Sequence, residues 1–115
     1  MISALLFLRP MIIPTDELTL DDVPITDASD REIIRFAQTL NGYDQVGGSV
    51  RDFGTYVAKL DKQPVDTLSL HDLRILLFAR QRAHYHQGGG WPDSDPLMDE
   101  MRKLTLEIRS RLENR

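Results

Sequence analysis

From about residue 29 onward, apolar side chains recur along this chain at the three- and four-residue spacing of helices, and four amphipathic segments can be marked on that period. The first runs from Ser29 toward Asn41, with Ile33, Ile34, Phe36, Ala37 and Leu40 on one side. Ser29 and Glu32 have the spacing of a capping box, in which the hydroxyl accepts from the amide three residues on and the acid reaches back. Asn41-Gly42 is expected to supply the left-handed exit. A second helix opens at Ser49 and carries Val50, Phe53, Val57 and Leu60, with Pro64 just beyond its end. Gly54 lies on that apolar side, where it is expected to permit a close helix crossing, because an exposed interior glycine costs about 1 kcal/mol against alanine.

The third helix follows Ser69 and is apolar almost all the way round through Leu70, Leu73, Ile75, Leu76, Leu77, Phe78 and Ala79. That pattern marks the central, most buried helix, on which the others pack. Asp95-Pro96 opens the fourth, a capping acid followed by the proline favoured at the first helical position. Its stripe is Leu97, Met101, Leu104, Ile108 and Leu112, with Lys103-Glu107 and Glu107-Arg111 spaced four apart on a solvated flank.

The residues before the first helix do not follow this period. MISALLFLRPMIIP contains an apolar run too short to cross a bilayer, with no base before it, and Arg9 and Pro10 interrupt it before any cleavage pattern. Pro10 and Pro14 bar a long helix. The expected organisation is therefore mainly α: a single, four-helix-bundle-like domain over residues 29–115, with residues 1–28 an extended arm packed on it. Whether residues 1–14 pair as short strands, or bury their apolar surface in a homodimer, stays open at this point.

A chain of 115 residues, with 41% hydrophobic and 28% charged residues, suits one globular domain. It has no cysteine, which excludes disulfides, thiolate zinc sites and cysteine nucleophiles and fits a reducing cytoplasm. Charge changes the picture more. Residues 1–30 hold six acids (Asp16, Glu17, Asp21, Asp22, Asp27 and Asp30) against Arg9 alone, a net of −5, whereas the remainder of the chain has a net of +1. The stretch TDELTLDDVPITDASD interleaves those carboxylates with Leu18, Leu20, Val23 and Ile25. It reads either as a solvated connector whose alternate apolar residues touch the core or as a face for a basic partner.

HYHQGGGWPD, residues 84–93, has the look of a metal or phosphate loop. His84 and His86 are two apart and point about 160° away from each other on a helix. His71 lies about 20 Å along the axis from His84. No metal is expected, and the histidines suit a helix carboxyl end. Gly88, Gly89 and Gly90 follow a helix instead of opening one, and Asp93, Ser94 and Asp95 come next, so no phosphate or other cofactor is expected either. The segment reads as a helix stop, with Trp91 folded on the bundle and Pro92 setting the return. Arg80 and His84 project into the sector of Leu73, Leu76 and Leu77. Either the helix leaves the core there, or Arg80 is held inside by a carboxylate such as Asp44, Asp52 or Asp99.

No GxSxG motif is present, no acid pair stands out, and a pI near 5.2 without a basic stripe argues against nucleic-acid binding. The segments IIRFAQTLNGYD, LHDLRILLFARQRAHYHQGG and DPLMDEMRKLTLEIRSRL, within residues 33–112, resemble small helical bacterial proteins encoded beside toxins. Among these are immunity proteins of contact-dependent growth inhibition and related polymorphic toxin systems. The resemblance carries no functional residues onto particular positions. It implies a non-enzymatic cytoplasmic protein that neutralises a cognate toxin by direct binding, with no membrane or nucleic-acid partner. The acids named above are the expected electrostatic contacts, and Arg80, Arg82, His84 and Tyr85 are a second candidate face. The alternatives are a homo-oligomeric helical module and a small helical enzyme with its site near Arg80, His84 and Tyr85.

Overall fold

Short polar side chains take up free amides at the helix starts, and those caps set where the chain changes direction. The computed structural model describes residues 17–86 and 96–115. Helix α1 (Asp30–Ala37) begins where Ser29 Oγ accepts from the Glu32 amide at 3.3 Å. The one-turn α2 (Gly42–Gln45) begins at Asn41, whose Oδ1 accepts from the amides of Tyr43 at 3.2 Å and Asp44 at 3.4 Å. Ser49 caps α3 (Val50–Leu60) through the Asp52 amide at 3.0 Å, and Ser69 caps α4 (Leu70–His86) through the Asp72 amide at 3.1 Å. The last helix, α5 (Pro96–Glu113), opens on its proline, which lacks the N–H that would otherwise be unsatisfied.

Asn41-Gly42 therefore starts a helix and does not end one. The reason is the Asn41 side chain, a strong amide acceptor at a helix amino terminus. The left-handed backbone falls later, at Gly47 (φ 80°) and Gly48 (φ 82°), where the chain turns into Ser49.

The expected mainly α architecture is what forms, with the extra turn α2 inserted between the first two long segments. Helix α4 is central: Leu73, Ile75, Leu76, Leu77 and Phe78 are all buried, and α4 packs against α1, α2, α3 and α5. Its longest contact is with α5, which supplies Met98, Met101, Leu104, Ile108 and Leu112. Each such side chain contributes about 1.5–3 kcal/mol on full burial. Helix α1 adds Ile33, Phe36 and Ala37, and α3 adds Phe53 and Leu60. Val50 is 73% exposed and stands outside the α3 stripe.

The close approach expected at Gly54 occurs at Gly42 instead. Gly54 is exposed, and a Cβ built on it meets nothing within 4 Å. At Gly42 a Cβ would stand 2.5 Å from Phe78 Cδ1 and 2.8 Å from Phe53 Cε1. Those two rings and Tyr43 form an edge-on trio, with centroids 4.8 Å (Tyr43–Phe53), 5.3 Å (Tyr43–Phe78) and 5.7 Å (Phe53–Phe78) apart. The missing side chain at Gly42 is what lets α2 lie on them.

Arginines of α5, and Arg115 just beyond its end, fasten the irregular segments. Arg109 Nη1 donates to the Val23 carbonyl at 3.2 Å and Arg115 Nη1 to that of Leu18, also at 3.2 Å. Arg111 donates to the Leu68 carbonyl and, at 3.0 Å, to that of Val65. Leu18 and Val23 are buried in the common core, while Leu20 and Ile25 face outward. Among the described residues there is no strand, and no helix is long and apolar enough to cross a membrane. The readings placed on residues 1–16 and on the Gly88–Asp95 turn lie outside the described residues.

Candidate functional site

The acidic stretch divides by what its carboxylates touch. Asp22 closes a tight turn (Leu20–Asp22), its Oδ2 accepting from the Thr19 amide at 3.2 Å and the Thr19 hydroxyl at 3.0 Å. Asp30 accepts two hydrogen bonds from Arg102 Nη2 at 2.7 and 2.8 Å, and the same guanidinium reaches Asp99 at 2.7 Å. Glu17, Asp21 and Asp27 are exposed, and Asp16 lies outside the described residues.

Between this stretch and α1 lies an open groove of about 410 Å³. Asp21, Asp22 and Glu32 line it with carboxylates, Val23, Pro24 and Phe36 make its apolar surface, and Arg35 is the one base on its wall among the described residues. Behind Phe36 stands Arg74 of α4, only 2% exposed, its guanidinium carbon 5.6 Å from the ring centroid. Arg74 Nη2 donates to Thr39 Oγ1 at 2.9 Å, and Thr39 donates onward to the Phe36 carbonyl at 2.7 Å. Burial pushes the Arg74 pKa down, and the negative charge of Asp22 pushes it back up.

The second expected face does not form as a unit. Arg80 is neither free nor held by Asp44, Asp52 or Asp99. It bridges Asp61 at the end of α3 and Glu100 of α5, the latter at 2.9 Å, on the wall of a cavity of about 190 Å³. Among the described residues the fully buried arginine is Arg74, six residues earlier, because α4 turns that position onto α1. His84 is buried, whereas Tyr85 is 58% exposed. Arg82 lies 5.4 Å from the Tyr85 ring centroid, so those two do come together, away from Arg80.

No family model, curated protein or solved structure matches this chain. Among the described residues no three histidine or acidic side chains are placed to share a metal ion. What the acidic groove offers is a set of fixed negative charges beside an aromatic and aliphatic surface, an arrangement that accepts a cationic group with a hydrocarbon stem. Sequence reasoning named Asp21 and Asp22 but missed Glu32, whose capping role hid its position, and Phe36, counted only as core. It also missed Gln81, a polar residue four positions after Leu77 on the apolar side of α4. That placement was a usable signal for a buried amide.

Proposed function

We propose that this protein is a binding protein that captures a basic protein partner on the face built by residues 17–32, and that the partner is a toxin domain which it neutralises. The observation that carries the reading is the grouping of Asp21, Asp22 and Glu32 on one open groove over Val23, Pro24 and Phe36. Glu17 and Asp27 extend the same sign of charge nearby in the sequence. Lysine or arginine side chains of a partner would lay their stems on the apolar surface and place their charges among the carboxylates. The resemblance to immunity proteins supplies the kind of partner, and toxins that attack nucleic acid are commonly basic. An acidic face accelerates and orients capture of such a partner.

The test begins with a partner recovered by co-purification from native cells. Asp21→Lys combined with Glu32→Lys removes charge from the groove and leaves the Asp22 turn and the Asp30–Arg102 pair intact. Affinity is expected to fall about tenfold or more at low salt, with a flatter dependence on ionic strength. Arg35→Glu is expected to act in the opposite direction. Unchanged affinity and unchanged salt dependence in both variants would refute the reading.

A further inference from the structure

A second groove, of about 450 Å³, shares no lining residue with the acidic one. Leu40, Phe78 and the Tyr43 ring give it an apolar surface, and Gln81 and Arg82 of α4 stand side by side on its wall. Gln81 is 2% exposed, and its Oε1 is buried with no hydrogen-bond partner; Arg82 Nε is buried and equally unpartnered. A buried amide oxygen and a buried guanidinium N–H left unpaired are costly in a finished core, and α4 has many apolar alternatives at hand.

The charge arrangement singles out Arg82. Four other half-buried arginines each have a carboxylate: Arg80 has Asp61 and Glu100, Arg102 has Asp30 and Asp99, Arg109 has Glu113, and Arg111 has Glu107. Among the described residues Arg82 has only the Tyr85 ring, and it is the one charged side chain of those residues on this groove. Gln81 thus holds an acceptor that lacks a donor just beneath the wall, next to a cation that lacks an anion among the described residues, beside a hydrocarbon surface.

We infer that this groove binds an acylated amino acid, either free or as the carboxyl-terminal residue of a polypeptide. Its carboxylate pairs with Arg82, its amide N–H donates to Gln81 Oε1, and its side chain rests on Leu40 and Phe78. That one ligand satisfies both unpaired groups at once, and the volume is of the size that holds a small ligand. The site stands whether or not the acidic groove binds a basic partner.

The experiment follows the side-chain resonances of Gln81 and Arg82 by NMR while N-acetyl-L-leucine is added to the full chain. Saturable shifts at both side chains are expected. N-acetyl-L-leucinamide, which lacks the carboxylate, is expected to bind about tenfold more weakly, and Arg82→Gln is expected to abolish that preference. Gln81→Met removes the unpaired oxygen, so it should weaken binding of both compounds without lowering Tm. A short peptide ending in a free leucine carboxylate, compared with its amidated form, then identifies the source: binding of the free-ended peptide points to a polypeptide terminus, and its exclusion to the free acylated amino acid. Absence of saturation at concentrations on the order of 10 mM overturns the inference. So does binding that is indifferent to Arg82→Gln, or a Gln81→Met variant that loses stability and keeps its affinity.

Discussion

Alanine at Gly42 and alanine at Gly54 should change stability in opposite directions, although both replace a helical glycine. Neither glycine has a positive φ, so backbone strain plays no part, and the helix preference for alanine favours both changes by up to about 1 kcal/mol. At Gly54 nothing lies within 4 Å of the new methyl, so the full gain should appear, about 0.5–1 kcal/mol of added stability. At Gly42 the methyl would enter at 2.5 Å from Phe78 and 2.8 Å from Phe53. Ordinary carbon contacts begin near 3.5 Å, so the rings must retreat by roughly 1 Å. They cannot do so cheaply, because each ring is seated edge-on against the other and against Tyr43. Overpacking of this kind costs about 1–3 kcal/mol, centred near 2, so after a helix gain of at most about 1 kcal/mol the expected net loss is about 1 kcal/mol. Urea unfolding followed by far-ultraviolet circular dichroism reads both effects, and the slope should be the same in all three proteins. If Gly42→Ala matches or exceeds the parent in stability, the account of α2 resting on the aromatic trio is wrong.

Tyr56 donates its hydroxyl to Asp72 Oδ1 at 2.6 Å, which, with burial and the aspartate charge adding to it, raises the phenol from its ordinary 10.0 to about 12. A raised folded pKa contributes stability that is complete below pH 10.0 and is lost as pH climbs toward about 12. Phenolate absorbance should therefore include a late-titrating component that Asp72→Asn moves back toward the ordinary phenol value; absence of that component in the parent would contradict the hydrogen bond. Thr39→Val keeps the shape but removes the acceptor that Arg74 Nη2 reaches at 2.9 Å. A hydrogen bond to a buried charge is worth about 1.5–3 kcal/mol, so the midpoint of urea unfolding should drop accordingly, with Thr39→Ser retaining most of the stability. A valine variant as stable as the parent would show that Thr39 does not support Arg74.

The long helices were legible because burial on one side imposes a period that composition cannot disguise. The all-round apolar run from Leu73 to Phe78 identified the central helix, and the serines at 29, 49 and 69 marked their starts. The errors share a physical cause: each concerned a residue whose role depends on a distant neighbour. Asn41-Gly42 is suited by local preference to either end of a helix; the Asn41 cap makes it a start, and the fit of Gly42 against Phe53 and Phe78 cannot be read from the neighbouring sequence. Gly54 lies near the apolar side on a helical wheel, but α3 is covered along Phe53 and Leu60 and not there. Arg74 interrupts an apolar run and would ordinarily be assigned to solvent. Its burial needs Thr39 and Phe36 from α1, which periodicity within α4 does not report. Of the candidate contacts, the excess of acid was visible in the count of charges. Which acids remain available was not, since the partners of Asp30 lie near the other end of the chain.

That division bears on how an acidic face would work. A flexible acidic tail pays ordering entropy when it binds, and much of its electrostatic attraction is spent in that way. Here the stretch is already fastened: Arg109 and Arg115 hold the carbonyls of Val23 and Leu18, Arg102 holds Asp30, and Asp22 closes its own turn. The Asp30–Arg102 pair uses a carboxylate that then adds little to capture of a partner. In exchange, these bonds hold in place the backbone that carries Glu17, Asp21 and Asp27. A carboxylate array set in advance can orient a cationic partner before contact, whereas the same charges on a loose chain would only attract it. Structural and recognition charges should then be separable. Asp30→Asn should therefore loosen the stretch and weaken capture indirectly, whereas Asp21→Lys and Glu32→Lys should weaken it directly, at the cost of no more than about 1 kcal/mol of stability for each first-turn acid replaced.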